Sequence, residues 1–273
     1  MAERAFRFSV GIHSAKSLNA LQDKAKRLED IGFDVLHLPD HLGAPAPFPV
    51  LTAIAAATST VRLGTYVLNA GFYKPALLAR DAAEVDQLSG GRLELGLGAG
   101  YVREEFEAAE LPYPSARQRV DYLEHVTTYV KKHLPGLPIL IAGNGNRLLT
   151  VAAQHADIIG LTGANPGDVA GPLAERVEFV RSAAGDRFAD LELNLAITAM
   201  PSDNSGKADL SLTRRFVPGL SDEELLALPS VLSGSPHDIA DTLRGYRDTY
   251  GLTSVTVQES HVETFAKVIA EFR

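Results

Sequence analysis

Residues 88–100 read LSGGRLELGLGAG, and this stretch indicates the class of fold. Ser89-Gly90-Gly91 predicts a tight turn, because glycine adopts backbone conformations that other residues avoid. Residues 92–97 then predict a short buried strand. Residues 75–88, before the turn, predict a helix that begins with proline, which is favoured at the first helical position. Helix, turn and strand therefore follow one another, as they do in α/β folds.

The same alternation continues in both directions from this stretch. Strands are predicted at residues 6–12, 35–38, 61–68, 92–97, 138–142, 157–161, 191–200 and 254–258. Helices are predicted at residues 17–31, 49–58, 75–88, 117–133, 147–154, 172–183, 235–250 and 262–272. Parallel strands joined by helices need cover on both faces, so this pattern predicts an α/β fold, a single (β/α)₈ TIM barrel over residues 1–273. A doubly wound open sheet is the alternative.

Composition narrows the possible functions. The 273 residues include 26 Lys and Arg against 34 Asp and Glu, a formal net charge of -8, whereas a non-specific nucleic-acid binder needs a basic surplus. The absence of cysteine excludes disulfides, thiolate metal sites and cysteine nucleophiles. Residues 1–8 do not resemble a signal peptide, and no apolar run approaches the ~20 residues of a membrane span. We therefore expect a cytoplasmic protein with no nucleic-acid or membrane partner.

Two segments interrupt the regular spacing, at residues 100–116 and 201–234. The second is polar and follows the seventh predicted strand. An insertion after a barrel strand lies at the end where active sites form, so residues 201–234 predict a mobile lid. The alternative is a surface loop without a functional role.

Chemically versatile side chains follow several predicted strands, and in a barrel these positions meet at one end. They are His13, Asp40, His41, Asn69, Tyr101, Asn144, Thr162, Glu259 and His261. His41 suits general acid–base catalysis or a hydrogen bond to the edge of a ligand, because imidazole titrates near neutral pH. A capping or structural role for His41 is the alternative.

The glycine run at residues 96–100 reads GLGAG. Its spacing differs from the dinucleotide-binding fingerprint, and it follows the fourth strand where that fingerprint follows the first. Glycines let the backbone approach a flat ligand closely, and tight packing between strands is the alternative.

Residues 143–147 read GNGNR and join a predicted strand to a predicted helix. The free N–H groups and dipole at a helix N-terminus favour an anion. Arg147 adds a guanidinium whose geometry suits phosphate. The segment therefore predicts a phosphate site, with a plain turn and a surface arginine as the alternative.

Other kinds of chemistry find little support. His37, Asp40 and His41 could suggest a metal site, but His37 lies within a strand and no further histidine pair accompanies it, so no metal is expected. Nucleophile elbows, Walker loops and zinc-protease motifs are absent from the sequence. Strand ends with many backbone donors and few strong acids or bases are typical of proteins whose cofactor carries the chemistry.

Several stretches resemble the bacterial luciferase-like family, especially its coenzyme F420-dependent branch. They are residues 48–65, 74–81, 88–100, 138–143, 156–160 and 233–236, and the resemblance extends over residues 6–272. It implies a barrel, usually a homodimer, that binds FMN or the deazaflavin F420 at the C-terminal ends of its strands.

The resemblance also implies roles for particular residues. Asp40 and His41 match the contact to the ring edge. A non-prolyl cis peptide is implied near Tyr66–Val67, with residues 67–70 as the safer range. The loop at residues 98–101 matches the track of the cofactor side chain, and residues 142–146 match the region against the ring and its phosphate. The implied cofactor-binding residues are Asp40, Tyr66, Val67, Asn69, Gly98, Ala99, Gly100, Ala142, Gly143, Asn144, Gly145, Arg147 and Thr162.

Two features depart from the family pattern. Tyr101 stands where some deazaflavin dehydrogenases carry an acidic glutamate, and the usual longer insertion between the fourth helix and the fifth strand is missing.

The resemblance leads us to interpret the sequence as an F420-dependent oxidoreductase acting on a small organic substrate, with His41 and Tyr101 as catalytic residues. The alternatives are an FMN-dependent monooxygenase, a non-catalytic cofactor-binding homologue and a metal-dependent barrel hydrolase.

Overall fold

The computed structural model describes residues 4–14, 16–162, 173–203 and 205–273. The strands are β1 Arg7–Gly11, β2 Val35–Leu38, β3 Arg62–Thr65, β4 Leu68–Asn69, β5 Leu93–Gly98, β6 Ile139–Ala142, β7 Ile158–Thr162, β8 Glu192–Ala196 and β9 Leu252–Gln258. They pair in the order β3-β2-β1-β9-β8-β7-β6-β5-β4, and pairing of β3 with β5 closes the ring. The predicted α/β TIM barrel is confirmed, and the open-sheet alternative is wrong.

Helices alternate with the strands along the chain. They are α1 Leu18–Ile31, α2 Pro47–Ala55, α3 Pro75–Leu88, α4 Arg103–Ala108, α5 Ala116–His133, α6 Asn146–His155, α7 Leu173–Ala184, α8 Ser211–Phe216, α9 Asp222–Leu226, α10 Pro236–Tyr250 and α11 Val262–Ala270. Helix α4 lies in the first predicted interruption, and α8 and α9 lie within residues 201–234. The start of the sixth predicted helix, at residue 172, lies outside the described residues. Within the described ranges, none of these helices combines the length and the apolar character that crossing a membrane requires.

The third predicted strand, residues 61–68, is wrong as one continuous element. A cis peptide bond joins Tyr66 and Val67 between β3 and β4, at the position that the family resemblance implies. Gly64 pairs with Glu94 before it, and Leu68 pairs with Leu97 after it. Three residues of the third strand thus face two residues of β5, so the chain bulges by one residue. The bulge is at the end of the barrel where the strands terminate.

The interior of the barrel is filled by side chains. Phe8 of β1 packs on Phe265 of α11, with ring centroids 5.5 Å apart, so the alternate residues of β1 face the lumen. Within the lumen, the rings of His37 and Tyr66 stack with centroids 5.1 Å apart. The Tyr66 hydroxyl donates to Asn194 Oδ1 at 3.1 Å. The lumen at this level is therefore filled by packed rings and hydrogen-bonded side chains.

Candidate functional site

Asp40 ties the loop after β2 to the bulge of the third strand. Its Oδ2 accepts a hydrogen bond from the backbone N–H of Asn69 at 3.0 Å. Burial raises the pKa of Asp40, while the hydrogen bonds from Asn69 and Tyr73 act in the opposite direction. The Asp40 carboxyl group therefore anchors the bulge, in addition to the ring-edge contact implied by the family resemblance, which stays a prediction.

His41 is held by a carboxylate that the sequence analysis did not identify. Its Nδ1 lies 2.8 Å from Glu105 Oε1, and Glu105 belongs to the first turn of α4. The Tyr101 ring stands edge-on to the His41 ring, with centroids 6.2 Å apart. Desolvation raises the pKa of Tyr101, and the negative charge of Glu105 adds to the effect. The two predicted catalytic residues, His41 and Tyr101, are therefore brought together at the mouth.

The glycine run of β5 packs against the bulged strand. Added Cβ atoms would overlap Thr65 O at Gly96 and Asn69 Oδ1 at Gly100, and would lie 2.6 Å from Val67 Cγ2 at Gly98. Ala99 packs against the main hydrophobic core. The glycines of this run therefore allow tight packing between β5 and the bulged strand, which was the alternative interpretation of the run. Contact between these residues and a flat ligand stays a prediction.

The ends of β6 and β7 are joined by the buried side chain of Asn144. Its Nδ2 donates to the carbonyl of Thr162 at 2.9 Å and to Thr162 Oγ1 at 2.6 Å. The N–H of Gly143 donates to the carbonyl of Gly160 at 3.1 Å. Ala142 and Gly143 are partly exposed, so small residues line this side of the mouth. Four of the predicted cofactor-binding residues therefore lie side by side.

The N-terminus of α6 carries an arginine from another helix. Gly145 caps α6 and provides no side-chain hydrogen bond to the first turn. Arg176 of α7 donates from Nη1 to Asn146 Oδ1 at 2.7 Å, and its Nε is buried without a hydrogen-bond partner among the described residues. Arg147, which the sequence predicts as the phosphate ligand, donates from Nε to Asp121 Oδ1 at 3.0 Å. The guanidinium beside the start of α6 is thus that of Arg176.

Other predicted candidates lie around the same rim. His13 Nε2 lies 2.9 Å from Gln258 Oε1, and Glu259 forms an ion pair with Lys24 of α1. His37 is buried in the lumen, and burial lowers its pKa to about 3. Across the part of the chain that the structure describes, no three His, Cys, Asp or Glu residues are grouped so that they could hold a metal ion.

The chain is similar to known proteins over much of its length. The family model described as "Luciferase-like monooxygenase" matches residues 5–253. A 5,10-methylenetetrahydromethanopterin reductase of Archaeoglobus fulgidus is 29% identical over 168 residues, 54% of this chain and 50% of that protein. An F420-dependent glucose-6-phosphate dehydrogenase of Amycolatopsis mediterranei is 33% identical over 108 residues, 36% of this chain and 32% of that protein. Each match thus spans half or less of the relative's own length.

A solved structure shows the same fold over the full length of the chain. The coenzyme F420-dependent tetrahydromethanopterin reductase of Methanopyrus kandleri superposes with a TM-score of 0.75 at 18% identity, covering 99% of this chain and 100% of that one. The family model covers most of the sequence, and the barrel agrees with it. The chain therefore belongs to the luciferase-like monooxygenase family.

Proposed function

We propose that this protein is an oxidoreductase that transfers a hydride between coenzyme F420 and a small organic substrate. The observation that carries the proposal is the assembly of one mouth from the His41 loop, the bulge at Val67 and the start of α6 with Arg176. Two similar proteins are described as F420-dependent, which favours the deazaflavin over FMN.

The residues at the mouth fit a flat, anionic cofactor. Arg176 brings a positive charge to the start of α6, where its Nη1 donates to Asn146 Oδ1 and no side chain caps the first N–H groups, so the two together can hold a phosphate. Val67 and Ala142 are partly exposed, so they offer an apolar surface to a ring. We propose that the predicted ligands at Asp40, Tyr66, Asn69, residues 98–100, residues 143–145 and Thr162 complete the site, whereas Arg147 pairs with Asp121.

The chain's own residues supply binding, orientation and proton transfer. When bound, a deazaflavin would act as the carrier of a hydride, which transfers two electrons. The His41 side chain is 44% exposed and can exchange a proton with a substrate in the mouth. Tyr101 is 63% exposed, stands edge-on to His41 and can orient that substrate.

Residues 201–234 are proposed as the lid of this site, within a single-domain chain. Thr213 at the start of the segment's first helix donates to Thr198 Oγ1 at 2.8 Å, and Thr198 lies just beyond β8. Val217 and Leu225 form a small apolar cluster of their own. The segment is therefore tied to the barrel by buried hydroxyl groups and holds itself together separately. We also propose a cytoplasmic homodimer, for which the exposed Leu42 and Leu77 offer apolar surface.

The second candidate function is an FMN-dependent monooxygenase, which the description of the matching family favours. Titration of the purified protein with F420 and with FMN, followed by cofactor fluorescence, separates the two. We expect saturable F420 binding at micromolar concentration and turnover with one member of an alcohol and carbonyl panel. Binding of FMN without binding of F420 overturns the proposal, and F420 binding with no turnover across the panel indicates a non-catalytic homologue.

A further inference from the structure

We infer that Glu105 is a positioning residue that fixes the tautomer of His41 and so makes Nε2 the atom that exchanges a proton with the substrate. The tautomer follows from geometry alone, whereas the proton transfer rests on the proposed function.

The hydrogen bond between the two side chains determines which imidazole nitrogen carries the proton. His41 Nδ1 lies 2.8 Å from Glu105 Oε1. An ionised carboxylate only accepts hydrogen bonds, so Nδ1 of the neutral ring must be the protonated nitrogen. Nε2 then keeps its lone pair. The Glu105 side chain is exposed to only 15%, against 44% for His41, so the imidazole is the more accessible member of the pair.

Glu105 is held in place by the residue that follows it. Phe106 is buried, and its ring packs on the rings of Phe72 and Tyr113 with centroids 5.4 and 5.2 Å away. A Cβ atom on Gly71 would lie 2.6 Å from the Phe106 ring, so glycine at this position leaves room for that ring. Helix α4 has six residues, and this anchoring compensates for its shortness.

His41 is anchored from the opposite direction. Its neighbour Asp40 accepts the backbone hydrogen bond of Asn69, which fixes the loop after β2 to the third strand. The His41–Glu105 pair therefore joins two separately supported segments that are 64 residues apart in the sequence. A contact held on both sides keeps its geometry when a ligand enters, as a positioning contact must.

The proton transfer balances with hydride transfer for a substrate that carries a hydroxyl group. The substrate O–H bond would break and an N–H bond would form at Nε2 of His41, while the hydride of the adjacent carbon, with its electron pair, would pass to a bound deazaflavin. The substrate would thereby lose two electrons and become a carbonyl compound. The resulting imidazolium is stabilised by the Glu105 carboxylate. In the reverse direction the same proton is returned from Nε2.

Nitrogen-15 NMR of histidine-labelled protein without cofactor tests the tautomer directly. The His41 signal is assigned by its loss in His41→Gln. At a pH where the ring is neutral, we expect the Nδ1–H form in the native protein and in Glu105→Gln, whose amide oxygen still accepts. We expect a shift towards the Nε2–H form in Glu105→Ala, and no shift in the exposed neighbour variant Glu104→Ala. An Nε2–H ring in the native protein, or no change in Glu105→Ala, overturns the inference.

Kinetics test the consequence for the reaction. In Glu105→Ala we expect kcat to fall about 10- to 100-fold, a part of the 10²–10⁴ that acid–base catalysis typically contributes, with KM within about twofold. Glu105→Gln should recover part of the loss, and Glu105→Ala should have no further effect in the His41→Gln background. An equal fall in both backgrounds contradicts action through His41. If the native protein neither binds F420 nor turns over, the proposed function fails while the NMR result still decides the role of Glu105.

Discussion

Polar side chains have different roles at the two ends of the barrel. At the N-terminal ends of the strands, Glu94 has a side chain that is exposed to only 5% and accepts from both Arg7 and Arg62. Arg7 also donates to Glu192 at 2.9 Å. At the C-terminal ends, His41 is exposed and Arg176 has an unpartnered Nε among the described residues. Charges at the first end stabilise the fold, whereas groups at the second remain available to a ligand.

The stretch at residues 88–100 spans both ends. Arg92 at its centre donates from Nε to the carbonyl of Ser89 at 2.7 Å and from Nη1 to the carbonyl of Val61 at 2.9 Å. Its Nη2 donates to the carbonyl of Ala55, also at 2.9 Å. Arg92 thus closes the N-terminal end, while the glycines four to eight residues further along shape the mouth. A sequence pattern shared with a family therefore combines residues for stability with residues for function.

Glu94→Ala should produce the largest change in stability. The substitution leaves Arg7 and Arg62 without their shared carboxylate in a partly buried position. Removal of one member of a buried ion pair costs about 3–5 kcal/mol, and we expect a loss of this size in the free energy of unfolding, measured by urea denaturation. His41→Gln at the mouth is the control and should cost less than about 1 kcal/mol. Equal losses at the two ends would contradict the comparison.

Arg92→Lys should produce the next largest loss of stability. A lysine ammonium cannot reach the separate carbonyls of Ser89, Val61 and Ala55 at once, because it lacks the planar fork of a guanidinium. Since buried carbonyls are then left without donors, we expect a loss of about 2–3 kcal/mol in unfolding free energy. Arg103→Lys, on the exposed surface of α4, is the matched control and should change little. A stability loss in the control alone would show that Arg92 does not close this end.

Arg176→Gln tests the open end through binding. Loss of a charge-assisted hydrogen bond worth about 1.5–3 kcal/mol should weaken cofactor affinity about 10- to 100-fold, measured by fluorescence titration. Arg147→Gln removes the arginine that pairs with Asp121, and we expect an affinity within about threefold of the native value. Both variants should unfold at nearly the native temperature. The opposite ranking would restore Arg147 as the phosphate ligand.

Glu29→Gln should produce the smallest loss of stability, and the size of the loss should depend on pH. Burial alone would raise the pKa of its carboxyl group, but hydrogen bonds from residues 59–61 lower it from 4.5 to about 2. Because the pKa is lower in the folded state, the stabilisation is complete above pH 4.5 and is lost as the pH falls towards 2. Glu29→Gln should cost about 1–2 kcal/mol near neutral pH, measured by urea denaturation. The difference from the native protein should narrow below pH 4.5; a constant difference would contradict the assignment.

Local signals were sufficient to predict the barrel and the position of its mouth. Hydrophobic periodicity and turn residues specify each helix and strand over a few residues, so alternation along the chain predicts eight strand–helix units. At the predicted start of α10, Ser235 and Asp238 form a capping box with Pro236 in the first turn, a contact within four residues that a local pattern can specify. The family resemblance located the cis peptide at Tyr66–Val67. Parallel strands place these ends together whatever the details of packing.

The partners of the functional side chains were decided only by the tertiary structure. Glu105 lies 64 residues from His41, and the acidic residues at 104–105 gave no sign of which one would turn inward. Arg147 was assigned to phosphate from its place beside a helix start, but packing of α5 on α6 gives it Asp121, and α7 brings Arg176 to that start instead. Sequence determines elements because periodicity and turns act over a few residues. Contacts between distant side chains depend on how the completed elements pack, and this packing leaves no local signal in the chain.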